Sequence, residues 1–147
     1  MAYWLMKSEP AAYSWADLVR DGGTEWDGVR NNAATLHLKA MAVGDRALFY
    51  HSMSDKAVVG VMEVTRAARP DAKAEEGERW VSVHVKPVAA LPRPVTLAEI
   101  KAEPRLAAME LIRQSRLSVA PVRGEEWTLI TELAEGSGAG ATPARSR

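Results

Sequence analysis

Two stretches of this chain alternate with a period of two, and no regular β-α alternation surrounds them. Residues 57–65 set Val58, Gly60, Met62 and Val64 along one uninterrupted apolar side. Residues 80–86 put Val81, Val83 and Val85 inward and Ser82, His84 and Lys86 outward. Successive side chains of a strand point to opposite faces, so this spacing predicts two strands, the first of them buried. Tyr3 to Met6 reads as an opening strand ended by Ser8-Glu9-Pro10, and Arg46 to His51 as an aromatic-rich one. Residues 115–121 look extended, and the charged run from Asp71 to Arg79 reads as a mobile loop.

Helices are expected where capping residues precede apolar periodicity. Ser14, followed three positions later by Asp17, forms a capping box ahead of a helix that Gly22-Gly23 stop. Asn31-Asn32 can cap a second helix to about Met41, and Thr96 with Glu99 opens a third. Pro104 fits the first position of another helical turn. A last helix begins near Gly124 with Glu125 and Glu126 in its first turn, and Trp127, Ile130 and Ala134 share one side. Short strands with interspersed helices indicate an α+β class with a small, mixed or antiparallel sheet, strongly curled and barrel-like.

The 147 residues suit one domain over 1–134, followed by a Gly/Ala/Ser-rich tail over 135–147 too poor in large apolar groups to pack. Without cysteine there are no disulfides, thiolate nucleophiles or cysteine-bound metals. No basic leader with an apolar run opens the chain and no segment is long enough to span a membrane, so a cytoplasmic protein is expected. Lys plus Arg number 19 and Asp plus Glu 19, leaving no net charge with His neutral. That balance disfavours gripping long stretches of phosphate backbone, which needs many cations, and leaves room for capture of one base with a few phosphate contacts.

The segment Trp26-Asp27-Gly28-Val29-Arg30-Asn31 gathers a π-face, an adaptable glycine, a fixed cation and an amide. These are the groups that read a flat heteroaromatic ring, although a Trp-anchored turn at Asp27-Gly28 has the same composition. Further recognition groups stand at strand ends: Lys7-Ser8, Tyr50-His51-Ser52, and Ser115-Arg116-Leu117-Ser118. His37, His51 and His84 lack partners at ligand spacing, so no metal is expected, nor any other cofactor. His51, Ser52 and Asp55 invite comparison with a catalytic triad, but neighbours in a strand face opposite ways and no GxSxG elbow is present.

Six motifs in order resemble the EVE domain family. They are Tyr3-Trp4-Leu5-Met6-Lys7-Ser8-Glu9-Pro10, Trp26 through Asn31, Met41-Ala42-Val43-Gly44-Asp45 with Phe49-Tyr50-His51-Ser52, Val59 through Val64, Val95-Thr96-Leu97, and Ser115 through Val122. The resemblance spans roughly residues 2–133. Ala120 stands where relatives often carry Gln, and Met6 where Leu is common. The resemblance implies a PUA-like fold, a curled β-barrel with helices around it, related to the YTH domains that read methylated adenine in RNA. It also implies a non-enzymatic reader of a modified base, flipped or single-stranded, in DNA or RNA.

In that reading Trp26 stacks on or walls the base, Val29 lines the site, and Asn31 bonds an edge. Tyr50, His51 and Ser52 line the floor or mouth, Ser8 and Ser118 add polar contacts, and Lys7, Arg30 and Arg116 meet flanking phosphates. An enzyme, hydrolase or transferase, working through His51 and Ser52 is the alternative, and a small-ligand sensor with the same pocket a third.

Overall fold

The structure, a computed structural model, describes residues 1–136. Of the expected tail, Glu135 and Gly136 form a turn and the remainder lies outside the described residues. The elements are β1 (Tyr3–Ser8), α1 (Trp15–Asp21), β2 (Thr24–Trp26), α2 (Asn32–Ala40), β3 (Arg46–His51), β4 (Ala57–Pro70) and β5 (Val81–Thr96). They continue with α3 (Leu97–Ala102), a 3₁₀ turn (Pro104–Leu106), α4 (Glu110–Arg113), β6 (Val119–Val122) and α5 (Gly124–Ala134). The strands form one mixed sheet in the order β2-β5-β4-β3-β1-β6, with β1 and β3 parallel and the other pairs antiparallel. This is the expected α+β class. No helix among the described residues is long and apolar enough to cross a membrane.

Local capping works as the sequence implies. Ser14 and Thr96 each accept the backbone N–H three residues on, while Asp17 and Glu99 bond back. Asn31 Oδ1 accepts from Ala34 N at 2.9 Å and starts α2. The extended reading of 115–121 is correct only from Val119, because Gln114 to Arg116 turn before β6.

Strand β4 departs from simple alternation. Val58 packs with Leu5, Leu48, Tyr50 and Val95 on one face, whereas Met62 and Val64 join Trp4, Met6, Phe49 and Val83 on the other. The expected single apolar side is therefore divided between two cores. Tyr50 pairs with Val58 while Phe49 pairs with Gly60, so Val59 is the extra residue of a bulge. One inserted residue reverses the facing of everything beyond it. The same reversal brings Gly60 beneath the Trp15 indole, which also meets the Phe49 ring edge-on at 5.5 Å.

The outward side of β5 is polar, and at Ser82 and His84 it is covered while Lys86 stays exposed. Ser82 is buried, and its hydroxyl donates to Glu25 Oε1 at 2.9 Å. Glu25 also takes two bonds from the Arg66 guanidinium, which holds its carboxyl below the ordinary carboxylate range. His84 pairs across from Glu25 and shares a 2.6 Å hydrogen bond with Thr65 Oγ1. The short strand β2, which the sequence hides behind Gly22-Gly23, brings Glu25 into this cluster.

Two buried carboxylates fasten loops to the sheet. Asp45 accepts from Ala2 N, Trp4 Nε1 and Ala42 N at 3.0–3.1 Å, tying the chain start to the turn after α2. Asp71 opens the segment expected to be mobile, yet it is only 4% exposed. Its oxygens accept from Lys73 N at 2.7 Å, Gly28 N at 2.9 Å and Arg30 Nη1 at 3.0 Å. Its own N–H donates to Trp80 O at 2.9 Å, closing the loop upon itself. Burial alone would raise the Asp71 pKa, but the N–H groups of Gly28 and Lys73 and the Arg30 guanidinium together draw it below the usual value.

Two stability measurements test these contacts. A Cβ at position 60 would lie 2.5–2.6 Å from three Trp15 ring carbons, so Gly60→Ala should lower the Tm and cost roughly 1–3 kcal/mol of overpacking. An unchanged melting curve would show that the indole yields freely. Asp71→Asn should cost about 1.5–3 kcal/mol at pH 7, the worth of charge-assisted hydrogen bonds. Because the folded pKa is depressed, that contribution is complete above the unfolded value near 3.8 and disappears as the pH falls through the lower folded one. Urea titrations of both proteins should therefore converge in strong acid, and a constant gap at every pH would refute the charge argument.

Candidate functional site

A cavity of about 700 Å³ lies between the two ends of the sheet. One wall is β2 with the following loop, Thr24 to Arg30; the other carries Lys7 and Ser8 at the end of β1 and Ser118 before β6. Ala12, Tyr13 and Lys73 complete the lining. In a flat sheet β2 and β1, four strand spacings apart, would be separated by roughly 19 Å. Facing each other across one cavity requires the sheet to curl, as the bulges between β4 and its neighbours allow.

Trp26 is 8% exposed, and its indole meets the Phe49 ring edge-on at 5.5 Å and 85°. The wall is thus rigid, an aromatic braced by another aromatic. Gly28 takes a left-handed φ of 78° so that its N–H reaches Asp71. A side chain there would meet no neighbour, so backbone conformation is what favours glycine. Arg30 is held between Asp71, the carbonyl of Val29 and the face of Trp80, whose centroid is 5.6 Å away. Across the cavity the Lys7 ammonium donates to Ser115 O at 2.8 Å and pairs with no carboxylate among the described residues. Burial pushes its pKa below the usual lysine value. Ser8 Oγ donates to Tyr13 O at 2.6 Å, and Asp27 and Lys73 form an ion pair at 3.4 Å on the rim.

The sequence-derived residues separate into three groups. Lys7, Ser8, Trp26, Val29, Arg30 and Ser118 line the cavity. Asn31 and Arg116 line a smaller hollow of about 350 Å³, with Ala33 and residues 114–117. The two spaces adjoin: Arg30 and Asn31 are consecutive, and Lys7 of one bonds Ser115 of the other. Asn31 is not free to bond a ring edge through Oδ1, which caps α2.

Tyr50, His51 and Ser52 line neither space. Strand parity makes Phe49 the neighbour of Trp26, while Tyr50 enters the opposite core and is 3% exposed. The Tyr50 phenol is pushed up by burial. His51 Nδ1 lies 2.9 Å from Asp55 Oδ2, and Nε2 accepts from Trp15 N at 3.0 Å. Those roles define the neutral tautomer with hydrogen on Nδ1. Ser52 N donates to Ser8 O at 2.9 Å, joining the ends of β3 and β1.

Sequence reasoning missed Tyr13, Thr24, Glu25, Asp27 and Lys73 as cavity residues. Asp27 sat inside the singled-out segment and Tyr13 just ahead of the capping serine, but only the fold brings Lys73 to the rim. Ala120, the departure noted in the last motif, is buried within the core at the β1–β6 pairing and lines neither space.

Comparison with known proteins agrees with this architecture. An EVE domain model matches residues 2–133. Thymocyte nuclear protein 1 of Rattus norvegicus is 34% identical over 166 aligned positions, covering 90% of this chain and 74% of its own. A protein of Rhodopseudomonas palustris solved by NMR is 46% identical with a TM-score of 0.86, over 100% of both chains. Human thymocyte nuclear protein 1, crystallised in complex with 5-methylcytosine-containing DNA, is 30% identical with a TM-score of 0.86, covering 97% of this chain and 100% of its own. The shared fold is PUA-like. On both sequence and structure, the chain belongs to the EVE domain family.

Proposed function

We propose that this chain is a non-catalytic reader, taking one modified base of DNA or RNA into the cavity beside Trp26. The observation that carries the reading is the pairing of a braced indole with an acid-free ammonium, Lys7, on facing walls of a space sized for a small planar ligand. Trp26 offers the ring surface and Val29 an apolar contact for an added methyl group. Ser8, Ser118 and Lys7 address polar edges. Asn31, by starting α2, and Arg30, by bonding Asp71, hold the loop that carries Trp26. Tyr50, His51 and Ser52 support the same region from within the fold.

The human relative's complex with 5-methylcytosine DNA makes that base the first candidate. Extruding a base from a duplex costs a few kcal/mol, and stacking on an aromatic returns about 1–3 kcal/mol. Binding therefore depends on contacts to the modification, or on a strand that is already unpaired. The alternative, a hydrolase or transferase using His51 and Ser52, has little support, since both imidazole nitrogens are engaged by Asp55 and Trp15 and neither bonds a serine.

Titration of matched oligonucleotides with and without 5-methylcytosine tests the reading. Wild type should prefer the modified strand, and Trp26→Ala should weaken that binding by roughly 5- to 150-fold, the equivalent of one lost stacking contact. Trp26→Phe, which keeps an aromatic against Phe49, separates a binding defect from a folding one. Equal affinity of wild type for both strands, or binding of neither, would end the proposal.

A further inference from the structure

Most arginines among the described residues are neutralised. Those at positions 20, 30, 46, 66, 69, 93, 105, 113 and 123 each lie within ion-pair distance of a carboxylate. Among the described arginines only Arg79 and Arg116 have no such partner. Both are exposed, and they flank the same turn, residues 31–33 at the start of α2. Arg79 is placed by a hydrogen bond to Asn32 Oδ1 and by the Trp80 ring, 5.8 Å from its guanidinium carbon. Arg116 lines the smaller hollow with Asn31 and Ala33, directly beside the larger cavity.

From this arrangement we infer that the turn at 31–33 is a saddle for the sugar-phosphate strand on one side of the captured base. Arg79 and Arg116 meet successive phosphates, and the strand lies in the smaller hollow. Planar guanidinium groups suit this task, since their forked donors match phosphate oxygens. Two arginines without an ion-pair partner on one face offer forked donors at short range where a strand leaves the cavity, beside the exposed Glu75, Glu76 and Glu78 of the Arg79 loop. Arg30, by contrast, is committed to Asp71, and the Lys7 ammonium to Ser115 O and the Tyr50 ring. The phosphate role expected of Arg30 therefore passes to Arg79. The partner is a polynucleotide strand and not a free nucleoside. This inference rests on the base-reading proposal for the larger cavity.

The test compares a short single-stranded DNA carrying one 5-methylcytosine with the nucleoside 5-methyl-2′-deoxycytidine. Arg79→Gln and Arg116→Gln should each weaken strand binding several-fold and reduce the slope of log K against log salt by about 0.7, the value for one phosphate of a single strand. The double variant should lose about twice that slope, while nucleoside binding stays unchanged. Arg105→Gln, which removes a charge outside this face, should leave the slope as in wild type. The saddle is overturned if the double variant keeps the wild-type slope while Trp26→Ala loses binding, an outcome that leaves the base-reading proposal standing. It is equally overturned if Arg105→Gln has the same effect, or if the nucleoside binds as tightly as the strand. Failure of wild type to bind either probe removes both proposals together.

Discussion

One desolvated carboxylate, Asp71, holds in place the loop that forms one wall of the cavity. A buried charge must find donors, and besides the N–H of nearby Lys73 they come from a loop about forty residues earlier in the chain. Meeting that demand turns the Gly28 N–H inward, requires its left-handed backbone, and fixes Arg30 against Trp80. Trp26 and Val29, on either side of these anchors, are placed as a result. Asp45 performs the corresponding task near the start of the chain, where Trp4 and the turn after α2 converge. In both places a polar group gives position to apolar ones, so the aromatic wall owes its placement to electrostatics as much as to packing.

The legible parts of the sequence were the local ones. Capping at Ser14, Asn31 and Thr96 involves groups three residues apart, and each is realised. The segment from Trp26 to Arg30, with Lys7, Ser8 and Ser118, was also recoverable as a set that lines one cavity, through ordered motifs more than through composition. What could not be read were relations between distant segments. The bulge at Val59 divides an apparently continuous apolar side, and nothing in the alternation of 57–65 announces it. Tyr50, His51 and Ser52 followed from adjacency to a strand end, but strand parity turns Tyr50 into the other core, and the His51 ring, on the Phe49 side, is taken up by Trp15 N and Asp55. Lys73 and Asp71 belong to a charged run whose organisation depends on a partner loop.

Neutral overall charge and the proposed base-binding function are compatible because attraction in that reading is local. Ion pairs hold most of the described arginines, and the two left without a carboxylate partner stand beside the turn at 31–33, next to the cavity. In the proposed function, such a protein samples nucleic acid loosely and derives its selectivity from a rigid interior. The braced Trp26–Phe49 pair supplies that rigidity, since little ordering remains to be done when a ring arrives.

The curl of the sheet carries a further consequence. Because one wall belongs to the edge strand β2 and the other to β1, next to the opposite edge, the cavity behaves as the gap of a caliper whose arms are β2 and β1. Small changes in twist at the irregular β3–β4 and β4–β5 pairings add up along the arms and appear at full size between the jaws. Residues outside the lining, such as Val59 or the prolines of β5, thereby govern the width of the cavity. Evolution of this scaffold can widen or narrow that gap through its spine, leaving every residue that lines it in place.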